Sequence, residues 1–478
     1  MTVRPGPARI QDVVDRGFAS IGAVGATVAL VRGDRSWVFT RGEGRAGQRV
    51  TAATPFHVCS CSKTFTAAVF SRLVVEGAAT WDAPIRDVLP ELRFSDAAAD
   101  NGCTFRDLAT MRVGLARDGI AEWGIRQQLP REERLARARH MDFVAPFRSR
   151  FGYSNLCYIA LSLAAERLAG QPYAQLVQDL ICAPLGLSDT SSAGFGTLPP
   201  ASAAIPHLPV AGATRGVRDL TGPNSEGSAR IHLSGRDAIR WMRFLLDALG
   251  GSDAGPLSAA AVTAMATPFA PVTDPDVRMA PQDGAGCAYG MGLFVTMLHG
   301  RRLLRHGGGG RGWRHAMALA PEAGAGVMVM ASAESPAVEA WALRLLDFLA
   351  GDAPSDWEGA FARAATQAAH ADRQRIESLF PADSAVPPLP LPAGCYADPV
   401  TGEVQLRVDA SGAHLLPTDA PDFAAVLKPL GGAVYGLDFD EPALSPQPLD
   451  PPFRLRLAGT AAAPVLETSH FGRLRCLS

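Results

Sequence analysis

Ser60-Cys61-Ser62-Lys63 sets a hydroxyl and an amine three residues apart, a spacing that on a helix puts both side chains on one face with Cβ atoms about 5–6 Å apart. A serine hydroxyl becomes a useful nucleophile when a neighbouring base takes its proton. Lysine can be that base where burial or nearby positive charge lets it sit uncharged. The chain is sparing with this residue: lysine occurs at positions 63 and 428 alone among its 45 basic residues. Arginine keeps its proton in proteins, so a chain built on arginine retains lysine where deprotonation is of use. Tyr153-Ser154-Asn155 offers a phenol as a second acid/base, with Asn155 expected to donate to Lys63 and to a substrate carbonyl. His306-Gly307-Gly308-Gly309-Gly310 supplies an imidazole and then a glycine run, which lets a ligand lie against exposed backbone N–H groups. Gly309 and Ser60 are the expected donors of an oxyanion hole. Each box also has a plainer reading: a chance S-x-x-K, a packing tyrosine followed by an Asn helix cap, and a loose hairpin turn.

The elements that must hold these groups follow from the apolar pattern. The runs Val24–Val31 and Ser36–Thr40, separated by Arg32-Gly33-Asp34-Arg35, predict a hairpin opening a sheet. A third run ends at Ser60. Beyond Cys61 the stripe Phe65, Val69, Phe70, Leu73, Val74, with Gly77 behind it, predicts a helix of about four turns. From about residue 78 to 285 helical segments such as Asn155–Leu168 and Asp237–Leu249 alternate with Pro/Gly-rich loops such as Thr197–Thr214, a mostly helical subdomain. Strand character returns at Gly292–Leu298, Arg302–Arg305, His315–Ala320 and Gly326–Ala331, with the glycine run between two of these strands and a helix at Ala337–Leu349 after them. Strands at both ends of this region predict one sheet assembled from distant parts of the chain. Residues 384–394, rich in proline, read as a linker between a catalytic domain (1–383) and a small all-β domain (395–478) whose short runs suit a barrel or sandwich.

Composition removes several classes of function. The 478 residues suit two domains, or one large domain with an appendage. A net charge of -2 lacks the basic excess that phosphate-backbone binding needs, so nucleic acid is excluded as a partner. No run approaches the roughly 18 apolar residues of a membrane helix, and none is expected to span or anchor. The stretch MTVRPGPARIQDVVDRGFAS reads as a charged amphipathic helix rather than a secretory signal, which gives a cytoplasmic expectation. The 8 cysteines show no C-x-x-C, and Cys59 and Cys61 flank Ser60, so reduced thiols are expected. The 10 histidines show no H-E-x-x-H, and no Walker-type loop is present, so neither metal nor nucleotide is expected.

In order and spacing, S-x-x-K at Ser60, Y-x-N at Tyr153 and H-x-G at His306 resemble the three signature boxes of the serine β-lactamase and penicillin-binding protein superfamily. The flanking Pro146, Phe151-Gly152, Pro184-Leu185-Gly186-Leu187 and Tyr289-Gly290-Met291-Gly292 are similar too, and the likeness covers roughly residues 8 to 350. His306 stands where the usual K-T-G box has lysine, which is similar to the class C β-lactamase-like esterases and D-aminopeptidases. Asp356-Trp357 and the β-rich tail are similar to members with a C-terminal lipocalin-like barrel, which in such relatives can close over the cleft. The resemblance implies an α+β fold: a β-lactamase/transpeptidase-like antiparallel sheet with a helical subdomain, plus an all-β barrel.

It further implies that Ser60 attacks a carbonyl, Lys63 or Tyr153 takes its proton, Tyr153 protonates the leaving group, and water or an amine releases the acyl-enzyme. His306 lines the far wall, Gly308 and Gly309 lie along the substrate, and no metal or organic cofactor is implied. The substrate expected is a small molecule or short peptide, with the oligomeric state open. Two alternatives stand beside a hydrolase: an acyltransferase or penicillin-binding-type thioesterase/cyclase resolved by an amine, and a non-turnover penicillin-binding or sensor protein. In Glu226-Gly227-Ser228-Ala229-Arg230-Ile231, where relatives often carry small residues, Arg230 is expected to recognise a substrate carboxylate. Its alternative is pairing with Glu226 or solvent. Trp313 and His315 are further lining candidates.

Overall fold

The computed structural model describes residues 7–116, 129–192, 202–273, 286–444, 447, 450, 452–469 and 472–477. Gly25–Arg32 (β1) reads GATVALVR and is apolar almost throughout because it runs through a sheet covered on both faces. Its alternate residues feed two cores: Ala26, Val28 and Leu30 pack with Trp341 and Leu345, while Ala29 and Val31 pack with Phe65 and Val69. A tight turn at Gly33 leads into β2 (Arg35–Arg45), the expected hairpin, followed by β3 (Gln48–Arg49) and β4 (Phe56–His57). The helix Ser62–Val75 comes next. It is buried on nearly every side from Ser62 to Ser71, more central than its apolar stripe suggested.

The helical insertion contains Asn155–Ala169 and Gly235–Leu249, together with a hairpin of β5 (His207–Val210) and β6 (Ala213–Gly216), and β7 (His232–Leu233), which pairs with β4. That hairpin corrects part of the expected Thr197–Thr214 loop, whose residues 197–201 lie outside the described residues. The chain then returns to the sheet through β8 (Ala270–Pro271), β9 (Ala288–Tyr289), β10 (Phe294–Leu298), β11 (Arg301–Gly310), β12 (Trp313–Ala320) and β13 (Ala325–Ala331). The sheet order is β3-β2-β1-β13-β12-β11-β10-β9-β8, with Ala26 of β1 opposite Ala331 of β13. The glycine run is not a loop: His306 to Gly310 continue β11, paired with Met317 to Trp313 of β12.

An element not expected from the sequence is the helix Trp357–Leu379, which leaves little apolar period because only Trp357, Ala360, Phe361 and Ile376 are buried. Asp356 caps it by accepting from the Gly359 N–H at 3.0 Å. The C-terminal strands, from β14 (Gly394–Asp398) to β21 (Gly472–Cys476), close into an eight-stranded barrel. Its interior is filled by Tyr396, Leu406, Leu427, Leu455 and Leu474, and Leu220 from the helical insertion packs in the same core. Among the described residues no helix is long and apolar enough to cross a membrane.

Candidate active site

The segment entering the nucleophile turn is held before it bends. Val58 donates its N–H to the Ile231 carbonyl at 2.9 Å, and Cys59 then takes φ +48°, a left-handed conformation that costs a side-chain-bearing residue about 1–2 kcal/mol. Ser60 sits in the short turn Cys59–Cys61 that opens the Ser62–Val75 helix. Lys63, on the first turn of that helix, is 0 % exposed. Its Nζ lies 3.1 Å from Ser60 Oγ, 2.6 Å from Asn155 Oδ1 and 2.8 Å from the Ser228 carbonyl oxygen. The two carbonyl oxygens can only accept, so they take two N–H bonds and aim the third tetrahedral position of the nitrogen at Ser60. In the amine that position is the lone pair that can receive the Ser60 proton; in the ammonium it is a third N–H.

Asn155 therefore accepts from Lys63, the reverse of the expected donation. Tyr153 completes the cluster, its hydroxyl donating to Ser60 Oγ at 2.8 Å while its ring lies 5.0 Å from Lys63 Nζ. The order Tyr153, Ser60, Lys63 is a continuous hydrogen-bonded path for a proton.

His306 backs this cluster rather than touching Ser60. It is 2 % exposed; Nδ1 donates to the Gly307 carbonyl at 2.7 Å, which leaves Nε2 to accept from the Tyr289 hydroxyl at 3.2 Å. Burial, reinforced by Lys63, brings its pKa down to about 3, so the ring is neutral. Gly308 is required by close approach: a Cβ there would lie 2.3 Å from the Val58 carbonyl oxygen, so β11 presses against the nucleophile turn. Gly309 faces Arg314 across β12, and beyond Arg305 no strand among the described residues pairs with the outer edge of β11.

Arg230 lines a cavity of about 420 Å³ with Arg45, Arg218, Asp219, His57 and His232, a size suited to a small ligand. Its backbone is left-handed, φ +81°, and its N–H donates to His57 Nε2 at 3.0 Å. Glu226, the alternative partner, pairs with Arg131 at 3.0 Å, and among the described residues Arg230 forms no ion pair. Trp313 is 1 % exposed and stands behind the cavity, its indole donating to Asp219 at 2.9 Å; His315, 0 % exposed, is likewise buried rather than lining.

Asp219 and His57 escaped sequence reasoning, since neither belongs to a spaced motif. His57 Nδ1 lies 2.9 Å from Asp219 Oδ2. The Arg230 amide can only donate, so Nε2 is the acceptor and Nδ1 carries the proton toward the carboxylate. Burial pushes the Asp219 carboxyl up, but the His57 ring, the Thr221 amide and the Trp313 indole together hold it well below the usual carboxylate range.

The Beta-lactamase family model matches residues 10–352, most of the chain. The chain belongs to this family. It is similar to the unguisins hydrolase ungD' of Aspergillus campestris, 27% identical over 400 residues that cover 78% of this chain and 71% of that protein. It is also similar to the D-alanyl-D-alanine-carboxypeptidase/endopeptidase AmpH of Escherichia coli (strain K12), 26% identical over 338 residues, 68% of this chain and 84% of that protein. Among solved structures, the octameric penicillin-binding protein homologue from Pyrococcus abyssi superposes with a TM-score of 0.64 over 98% of this chain and 99% of that one. At 18% identity that likeness shows the fold, barrel included.

In this Beta-lactamase family chain the thiols beside Ser60 are inert: burial pushes Cys61 up to about 12 and raises Cys59 well above its ordinary value. Among the described residues His299, Asp347 and Asp352 bring ligand atoms within 4.8 Å of one another. Asp347 accepts from the Trp357 indole at 2.6 Å and Asp352 pairs with Arg301 at 2.7 Å, so both carboxylates serve packing.

Proposed function

We propose that the protein hydrolyses amide or ester bonds of small molecules or short peptides through a covalent acyl-enzyme at Ser60. The observation that carries this reading is the buried Lys63 amine, fixed by the Asn155 and Ser228 oxygens with one position left for Ser60 Oγ. Ser60 Oγ bonds to the carbonyl carbon as its proton passes to Lys63 or Tyr153, while the N–H groups of Ser60 and Gly309 receive the developing oxyanion. The C–N or C–O bond breaks as Tyr153 protonates the leaving group. Water then adds to the acyl carbon, gives a proton to the same pair, and frees the acid and Ser60. Amide and peptide bonds are favoured because relatives are named as a carboxypeptidase/endopeptidase and, among solved structures, a D-amino acid amidase.

Treatment with a fluorophosphonate followed by peptide mapping should place the adduct on Ser60. A panel of D- and L-aminoacyl amides and short esters, with and without added amine, should then yield free acid as the main product. No adduct, or one elsewhere, would overturn the reading; amide products would turn it to acyl transfer.

Arg230 extends the proposal to acidic substrates. Arg230 is half-buried, lines the cavity and has no ion-pair partner among the described residues, and burial lowers its pKa despite the nearby Glu226 and Asp219. A substrate carboxylate would supply a bidentate partner. Arg230→Ala should raise KM about ten-fold or more for a carboxylate-bearing ester, as expected for one charged hydrogen bond, and leave a matched neutral ester unaffected. Equal Michaelis constants for both esters in the variant and the parent would remove Arg230 from recognition.

A further inference from the structure

Asp219 sits in a segment gripped by the C-terminal barrel on either side. Leu220 is 5 % exposed and packs in the barrel core, with Val217 against it. Arg218 pairs with Asp422 at 2.7 Å and with Glu441 at 2.8 Å, its guanidinium 5.5 Å from the Phe423 ring. The carboxylate between them serves the other domain, accepting from His57 Nδ1, from the Trp313 indole and, through Oδ1, from its own Thr221 amide, each at 2.9 Å.

From His57 one hydrogen bond reaches the segment Ser228 to Ile231 that flanks the reacting groups. His57 Nε2 holds the Arg230 N–H, the next residue's N–H donates to Ser62 Oγ at 3.0 Å, and Ser228 carries the carbonyl that orients Lys63. Along the chain, His57 is followed by Val58, the left-handed Cys59 and Ser60. Trp313 begins β12 opposite Gly310, so the same carboxylate also steadies the end of β11 that presses on the nucleophile turn. A second barrel grip lies beside it: Arg311, in the β11–β12 turn, donates to the Ala443 carbonyl at 2.7 Å and pairs with Asp450 at 2.9 Å.

We infer that Asp219 is a positioning residue through which the barrel sets the geometry of Ser60 and Lys63. The inference rests on the proposed acyl-enzyme at Ser60. The barrel fixes Val217, Arg218 and Leu220; Asp219 transmits that position to His57; His57 holds the Arg230 amide and the entry to the nucleophile turn. Val217, Arg218, Asp219 and Thr221 also wall the cavity that Arg230 lines, so a shift of the barrel moves that cavity and the nucleophile turn together.

The experiment measures the rate of Ser60 phosphonylation by a fluorophosphonate, with kcat and KM for a neutral ester, in Asp219→Asn, Leu220→Ala and the double variant. Asp219→Asn should slow labelling and lower kcat by about ten- to a hundred-fold, the scale of a small misplacement of reacting groups, with KM little changed. Asp219→Glu should restore part of the rate. Leu220→Ala, altered only on the barrel side, should slow labelling in the same direction, and the double variant should be no slower than Asp219→Asn. Variants that melt earlier yet label at the parent rate would make the contact merely structural and overturn the inference, as would strictly additive losses. If Asp219→Asn does not fold, Leu220→Ala and Arg218→Met decide the matter by the same rate. Failure of the parent protein to label would instead count against Ser60 as nucleophile.

Discussion

Lys63→Met is expected to cut kcat/KM by about three orders of magnitude or more, since a positioned general base contributes roughly 10²–10⁴-fold and a nucleophile–base pair acts as a unit. Methionine fills the fully buried channel with an unbranched chain of similar length, so the helix Ser62–Val75 keeps its packing. What it removes is the nitrogen that Asn155 and Ser228 hold toward Ser60. Those two oxygens lose a donor, and each unsatisfied buried group costs about 1–3 kcal/mol, so a lower melting temperature should accompany the loss. Lys63→Arg separates charge from basicity: the guanidinium is a fixed cation near Tyr153 that cannot take the Ser60 proton. Both variants should fail single-turnover acylation. Near-parental acylation in Lys63→Arg would mean that position 63 supplies only charge.

Acid should destabilise the fold steeply, starting near pH 6.5. His232, His306 and His315 are all buried, and burial is the main cause that brings each from 6.5 down to about 3. The unfolded chain takes up protons at these rings once pH falls below 6.5, whereas the folded chain does not until about 3. Their stabilising effect is therefore fully present above the unfolded value and is lost as pH falls through that window. Each histidine contributes about 1.4 kcal/mol per pH unit, so the three together approach roughly 4 kcal/mol per unit. Glu226, Glu334 and Glu339, raised by burial, bind protons more readily when folded and oppose this trend lower in the window. Denaturant unfolding at pH 7.5, 6 and 5 should show the slope, and His232→Gln should remove about a third of it. An unchanged slope in that variant, and in His315→Gln, would contradict the assignment.

The meeting of Ser60 with Lys63 was legible from local spacing, and that of Tyr153 with both from the family resemblance. Ser60 and Lys63 meet because three residues on a helix put them on one face, and Tyr153 joins them from the loop that opens the Asn155–Ala169 helix. The hairpin of β1 and β2 and the strands of the second half were legible from alternation and turn residues, which left the tail as barrel or sandwich; its closure into a barrel was implied by the family resemblance. Other features depend on what the chain meets in space. Glycine is the ordinary turn residue, so Gly307 to Gly310 read as a loop; here glycine makes room for the Val58 carbonyl within a strand. The direction of the Asn155 bond was reversed because the oxygen faces an amine that must be held. His57 and Asp219 are 162 positions apart and carry no motif, so only the fold reveals their contact. The helix Trp357–Leu379 has too few buried positions to leave a period in its sequence.

The pairing of β1 with β13 has a consequence for biosynthesis. Ala26 finds its strand partner in Ala331, so β1 emerges from the ribosome some three hundred residues ahead of the backbone that will cover its free edge. Until then an almost wholly apolar strand is open to mispairing with other nascent chains, the condition under which chaperone capture is most useful. A transcript cut short before β11 would leave Ser60 and Lys63 translated but without the glycine ridge behind their turn. The ridge behind the Ser60 turn is thus supplied only about 250 residues after Ser60 itself.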